Sequence, residues 1–262
     1  EKAWLFVLIN ILKSIIVMSV SSYLIIIRGM GAEGVLLSQF VISVLFVVIS
    51  FVISRKSILL NFNRDHIKAS LIFSVPLLPH LASGWIIKSS DRIILEKFIT
   101  LQELGLYSLA AQVATVLSLF YTGVNNALVP RYTRLRKENN YIEANKLLTI
   151  FKVIIVISGI LSIPVAMIAL QILTSSEYSE ALKFIPLIIV GEIIKGFYYI
   201  PVAKLFYIKS TKSIATSSTI AAVVNIATNF LLIPIIGAYG AIFSTILAEF
   251  IRLVLLYIAN KR

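Results

Sequence analysis

Eight apolar stretches recur along the chain, over residues 3–27, 34–54, 67–98, 104–130, 144–174, 181–208, 213–235 and 238–259. Each matches or exceeds the ~20 helical residues needed to cross the hydrocarbon of a bilayer. The pattern predicts an all-α, polytopic membrane protein with eight transmembrane helices. The third and fifth stretches are longer than the minimum, so they are expected to tilt, bend or project into the headgroups. Pro76, Pro79 and Pro164 are the expected bending points, because proline removes a backbone donor and crowds the preceding turn. The connections are short, and no separate soluble domain is predicted.

Composition agrees with lipid as the solvent. The chain has 262 residues, 59% of them apolar, only 14% charged, and a mean hydropathy of +0.96. No cysteine is present, which excludes disulfides, thiolate catalysis and cysteine zinc sites. His66 and His80 are too far apart to suggest a local metal motif. The net charge of +12 reads first as membrane topology, and no nucleic acid partner is expected. Lys2, Arg55, Lys56, Arg64, Lys68, Arg131, Arg134, Arg136, Lys137, Lys146, Lys209, Lys212, Lys261 and Arg262 fall on one set of connections. The opposite set holds only Arg28, Lys97 and Lys183, together with Glu33, Glu96, Glu103, Glu177 and Glu180. Fourteen cations against three predict that both chain ends face the cytoplasm. The chain opens into a long span and shows no secretory signal pattern.

Seven cations remain inside the spans: Lys13, Lys88, Arg92, Lys152, Lys195, Lys204 and Arg252. Lys152 and Lys204 lie near helix ends, where long side chains can snorkel to headgroups. The other five are deeper, and each would cost about 2.5–3.5 kcal/mol facing lipid, so they are expected to face an interior. Asp91, Glu192 and Glu249 are the deep carboxylates, leaving an expected interior charge of +2. Residues three or four apart share a helix face, which groups Lys88, Asp91 and Arg92, then Glu192 with Lys195, then Glu249 with Arg252. Each group reads either as an internal clamp or as part of a substrate site. The excess cations favour substrate contact for Lys88 and Arg92, with Lys13 and Lys195 as further lumen cations. Glu249 and Arg252, equal in number, are expected to pair as a structural ion pair. A net-positive aqueous cavity suits an anionic substrate, particularly a phosphate.

Asn225 and Asn229 share a face of the seventh span, and Thr245 lies a few turns into the eighth. Their oxygens, with one carboxylate, suit a small hard cation, or they serve as interhelical hydrogen bonds. His80 reads as an interior hydrogen-bonded group or a proton relay. Tyr198 and Tyr199 read as packing or as sugar-stacking surfaces.

The run SVPLLPHLASGWIIKSSDRIILEKF, followed by ELGLYSLAAQ and NNALVPRYTRL, resembles the polysaccharide flippases, O-antigen type, of the multidrug/oligosaccharidyl-lipid/polysaccharide exporter superfamily. ALKFIPLIIVGEIIKGFYYIPVAKLFYIKST is similar to that family's tenth helix, and AAVVNIATNFLLIPIIGAYGAIFSTILAEF to its eleventh and twelfth. The resemblance covers essentially the whole chain. It implies a fold of two six-helix lobes in which these eight spans correspond to helices five to twelve. Residues 1–54 would then be the last two helices of the first lobe, 55–66 a cytoplasmic inter-lobe loop, and 67–262 a six-helix second lobe. A start at Glu1 rather than Met fits a fragment of such a transporter.

The implied function is transfer of an undecaprenyl-pyrophosphate-linked oligosaccharide, an O-antigen or capsular repeat unit, from the inner to the outer leaflet of the bacterial cytoplasmic (inner) membrane. The implied partners are that lipid-linked oligosaccharide, the bilayer, and other membrane proteins of polysaccharide assembly. No organic cofactor is expected. Related peptidoglycan lipid flippases carry a sodium site, which by position falls on Asp91, Asn225, Asn229 and Thr245. Asn229 stands where that pattern has a carboxylate, leaving Na+, H+ or no coupling ion open. A multidrug or metabolite antiporter of the same superfamily would share the fold but favours an acidic or apolar pocket. A membrane polysaccharide polymerase or acyltransferase would need a sizeable outer loop, and the outer connections are all short. The expectation is a carrier, with no catalytic residue.

Overall fold

A computed structural model describes residues 3–55, 64, 67, 68, 70, 71, 75 and 78–260, excepting the side chains of 3–7, 54, 79 and 80. The sequence readings of Lys2, Lys56, His66, Pro76, Lys261, Arg262, and the side chains of Pro79 and His80, fall outside the described residues. So do most of the 55–66 loop and part of the 67–98 span.

Regular structure among the described residues is helical throughout. The α-helices are α1 (Ala3–Ile26), α2 (Gly31–Ser54), α3 (Leu78–Leu95), α4 (Leu101–Lys137), α5 (Tyr141–Leu173), α6 (Ile185–Tyr207), α7 (Thr211–Ile236) and α8 (Ala238–Ala259). A short 3-10 helix, Ser176–Lys183, joins α5 to α6. Seven of the eight α-helices are long and apolar enough to cross a membrane. The exception is α3, whose 18 residues carry Lys88, Asp91 and Arg92 and are the most charged part of the predicted third span.

Helix ends follow local chemistry where hydropathy misses them. Thr100 and Asn140 cap α4 and α5 by accepting from the backbone N–H of Glu103 and Glu143, each at 3.2 Å. These caps start both helices three residues before the apolar stretches begin. At its other end α4 runs past Pro130 to Lys137, so the basic segment read as a connection is helix. Arg134, Arg136 and Lys137 sit in its last turn, where cations complement the carbonyl end of the helix dipole. The connection expected at 174–181 is largely the 3-10 helix, and α6 begins at Ile185 rather than near 181. α5 continues through Pro164 without a break.

The chain divides into two compact units, Glu1–Ile67 and Lys68–Arg262. In the first, α1 packs on α2, and buried Ser21 and Ser38 join their hydroxyls across the pair. Most of the remaining surface of the two helices is apolar and exposed, as at Met18, Ile26 and Phe40, which suits contact with lipid. In the second unit α3, α7 and α8 pack together, as do α4, α5 and α6, and α6 lies against α8. Gly237, at φ +55°, is the one residue between α7 and α8, a backbone conformation that costs an L side chain strain. At Gly196 of α6 a Cβ would lie 2.8 Å from the Tyr121 ring of α4, so only glycine permits that helix approach. Tyr121, fully buried, donates its hydroxyl to the Ile155 carbonyl of α5 at 2.9 Å and ties the three helices together.

Candidate functional site

A cavity of about 330 Å³ opens between α3, α4, α6 and α8 of the second unit. Each helix supplies one face to it. Gly84, Ile87, Lys88, Asp91 and Arg92 line it from α3, at the three-to-four spacing of a helical stripe. From α4 come Tyr107, Ala111, Thr115, Ser118 and Thr122, small or hydroxyl-bearing at every position. α6 contributes Glu192, Lys195 and Tyr199, and α8 contributes Thr245, Glu249 and Arg252.

Four cations and three carboxylates of the second unit therefore border the cavity, one positive charge in excess. The other deep cation of the sequence, Lys13, lies on α1 in the first unit. The pairs within single helices come together as ion contacts. Lys195 Nζ is 3.2 Å from Glu192 Oε2, Arg252 is 3.3 Å from Glu249 Oε2, and Arg92 is 3.7 Å from Asp91 Oδ1. Their burial differs. Glu249 and Arg252 are 3% and 6% exposed, whereas the Arg92 side chain is 34% exposed and Lys88 is open. Lys88 makes no ion pair among the described residues.

Several partners join these groups from other helices. The Tyr107 hydroxyl of α4 donates to Asp91 Oδ2, and the backbone N–H of Arg92 donates to Asp91 Oδ1 at 2.7 Å. Arg92 in turn donates to the Lys88 carbonyl at 2.8 Å. The Arg252 guanidinium stacks 3.8 Å from the Tyr198 ring centroid and donates through Nε to Ser218 of α7 at 3.1 Å. Tyr198 thus packs on a cation beside the cavity, while Tyr199 faces into it and shares a 2.9 Å hydrogen bond with Thr122. Sequence reasoning did not single out Tyr107, Ser218 or the α4 stripe. The recurrence of small and hydroxyl residues at 107, 111, 115, 118 and 122 was the available signal.

The four residues considered for a cation lie on α3, α7 and α8. Asn225 and Asn229 are fully buried and adjacent: Asn225 Oδ1 accepts from Ser90 at 3.0 Å and from Asn229 Nδ2 at 3.2 Å. Asn225 Nδ2 donates to Thr245 at 3.5 Å. This network is interhelical hydrogen bonding, but it leaves Asn229 Oδ1 buried without a partner among the described residues. The residue of α3 that reaches the asparagines is Ser90, whereas Asp91 turns to Tyr107 and Arg92, and among the described residues no hydrogen bond or ion contact joins Asp91 to Asn225, Asn229 or Thr245. Among the described residues no three His, Cys, Asp or Glu gather as a metal site.

Comparison with known proteins agrees with the fold and adds a process. A family model described as polysaccharide biosynthesis protein matches residues 5–146, more than half of the chain. The capsular polysaccharide biosynthesis protein CapF of Staphylococcus aureus is 27% identical over 212 residues, 77% of this chain and 52% of that protein. A protein of the Lsg locus of Haemophilus influenzae is 24% identical over 179 residues, 65% of this chain and 45% of that one. The chain thus spans about half the length of the curated relatives it matches. Among solved structures, an outward-facing multidrug resistance MATE family transporter of the MOP superfamily superposes with a TM-score of 0.63. It shares 12% identity, and the match covers 97% of this chain and 61% of that structure, a likeness of fold.

Proposed function

The chain belongs to the polysaccharide biosynthesis protein family, and from that premise we propose that it forms part of a flippase for lipid-linked oligosaccharides. The substrate is an undecaprenyl-pyrophosphate-linked repeat unit of a surface polysaccharide, O-antigen or capsular. It moves from the inner to the outer leaflet of a bacterial cytoplasmic membrane, with the cation-rich connections on the cytoplasmic side.

One observation carries this reading: a four-helix cavity in a membrane-spanning unit that combines a net positive charge with a wall of hydroxyls. Lys88, Arg92 and Lys195, the last two with side chains 34% and 30% exposed, are the cations open to an incoming anion; Lys88 and Arg92 contact the pyrophosphate, and Lys195 adds a further lumen cation. Thr115, Ser118, Thr122 and Tyr199 offer hydroxyls to the sugars. The polyprenyl chain stays in lipid, where the exposed apolar surface of the helices already lies. The cavity is near the lower end of ligand sites, which span roughly 300–1,000 Å³. It therefore takes the charged head of the substrate and not a whole oligosaccharide. Residues 67–262 serve as the second of two lobes, and rocking between lobes exposes the midplane site alternately to each side. A sodium ion, where used, is held by Asp91, Asn225, Asn229 and Thr245 and supplies a positive charge whose occupancy biases the lobe equilibrium. Glu249 with Arg252 holds the wall as a buried ion pair. The protein is a carrier and leaves its substrate chemically unchanged.

The test replaces Lys88 and Arg92 together with Gln in a strain whose own flippase gene is deleted. Loss of surface polysaccharide at normal protein abundance is the expected result. Parental polysaccharide levels would reduce the cluster to an internal clamp.

A further inference from the structure

At the end of the second unit where α4 turns into α5, Arg136 packs on Tyr207, one turn after Lys204 in α6, and Lys152 of α5 lies within electrostatic reach of Lys204. Arg136 is in the last turn of α4, Lys152 lies three turns into α5, and Lys204 is in the last turn of α6. Both Arg136 and Lys152 act electrostatically on Lys204. Among the described residues no carboxylate lies within 4.0 Å of any of the three. Arg134, Lys146, Lys195 and Arg252 differ, for each has a glutamate three or four residues away in the same helix or its cap.

The Arg136 guanidinium is also held in place. Its central carbon is 4.7 Å from the Tyr141 ring centroid and 5.1 Å from that of Tyr207, and the Tyr207 hydroxyl donates to the Arg136 carbonyl at 3.2 Å. Its Nε is buried with no hydrogen-bond partner among the described residues. The site stands at a defined depth. At 1.5 Å per residue the 37 residues of α4 extend about 55 Å, well beyond a ~30 Å hydrocarbon core, so its last turns reach the headgroup layer. Tyrosines flanking the arginine are the residues that layer favours, and lysine stems can extend to the same level. Three like charges within electrostatic reach and without an acid within 4.0 Å among the described residues call for counter-charge from outside the protein. In the headgroup layer the available anion is phosphate.

We propose that Arg136, Lys152 and Lys204 bind the phosphate of an anionic membrane phospholipid, which bridges the ends of α4, α5 and α6. The site shares no residue with the cavity, and its ligand is a lipid of the bilayer rather than the transported molecule.

The protein purified in a neutral detergent is titrated with phosphatidylglycerol, phosphatidylcholine or inorganic phosphate while its thermal unfolding midpoint is followed. Phosphatidylglycerol alone should saturate and raise the midpoint. Each cation neutralised near the membrane surface weakens such binding about fivefold. Lys204→Gln should shift the phosphatidylglycerol titration by about fivefold, and Lys152→Gln with Lys204→Gln by about 25-fold. Both variants remove mutual repulsion, so their midpoints without lipid should not fall below the parent's. Lys146→Gln, at the same end but paired with Glu143, should titrate as the parent does. Equal responses to phosphatidylglycerol and phosphatidylcholine, an unshifted titration in the double variant, or full stabilisation by inorganic phosphate alone would each overturn the proposal.

Discussion

Removing either member of the Glu249–Arg252 pair should destabilise the second unit far more than removing both. The two side chains are 3.3 Å apart and nearly sealed, at 4% and 7% side-chain exposure. Taking away one partner of such a pair strands a buried charge, at a cost of about 3–5 kcal/mol, while apolar replacement of both is often near neutral. The two single changes should not be equal. Glu249→Leu leaves Arg252 held by the Tyr198 ring and by Ser218. Arg252→Met leaves Glu249 without its cation and also forfeits a desolvated cation–π contact of about 2 kcal/mol. Arg252→Met should therefore be the worse variant, and Glu249→Leu with Arg252→Met should recover most of the loss. For a unit of this size about 1 kcal/mol moves the unfolding midpoint by about 2–4 °C, so Glu249→Leu should lower it by about 6–20 °C and Arg252→Met, at about 5–7 kcal/mol, by about 10–28 °C. A double-mutant cycle followed by thermal unfolding in detergent measures the coupling directly. Additive losses, or singles within about 2 °C of the parent, would refute the reasoning.

Other consequences are open to simple tests. Gly196→Ala places a methyl against Tyr121 and should cost about 1–3 kcal/mol, seen as a lower unfolding midpoint. Tyr107→Phe removes a hydroxyl donor from buried Asp91 and should cost about 1–3 kcal/mol, with a further loss in Asp91→Asn smaller than in the parent because the two groups are coupled. If Asp91 belongs to a sodium site, transport by the intact transporter should fall when potassium replaces sodium. Asp91→Asn should not respond to that exchange, and equal parental rates in the two salts would remove sodium coupling.

Sequence patterns located helices well where apolar content and punctuation coincide. The last span was read at 238–259 and forms Ala238–Ala259, because Gly237 ends the preceding run at a backbone angle few residues adopt. The tail of α4 escaped because hydropathy cannot see a helix that has left the hydrocarbon: residues 131–137 are basic and amphipathic, yet helical. Within the site, the i, i+3 pairs on α6 and α8 and the α3 cluster were visible since each lies on one helix. Their partners across helices were not. Tyr107 meets Asp91 over 16 residues of chain and Ser218 meets Arg252 over 34, separations that periodicity does not encode. Lys152 and Lys204, read singly, are snorkelling lysines; only helix packing brings Lys152 and Arg136 within electrostatic reach of Lys204.

The central claim is that the intact transporter moves lipid-linked pyrophosphoryl oligosaccharide between leaflets through the Lys88 and Arg92 cavity. It is tested most directly in proteoliposomes loaded with a fluorescent lipid-linked oligosaccharide, by following how much becomes accessible to an external quencher. The account predicts protein-dependent exposure of the inner-leaflet pool, reduced to the protein-free rate when Lys88 and Arg92 are both Gln. Parental rates in that variant, or no exposure above protein-free vesicles with the parent, would contradict it.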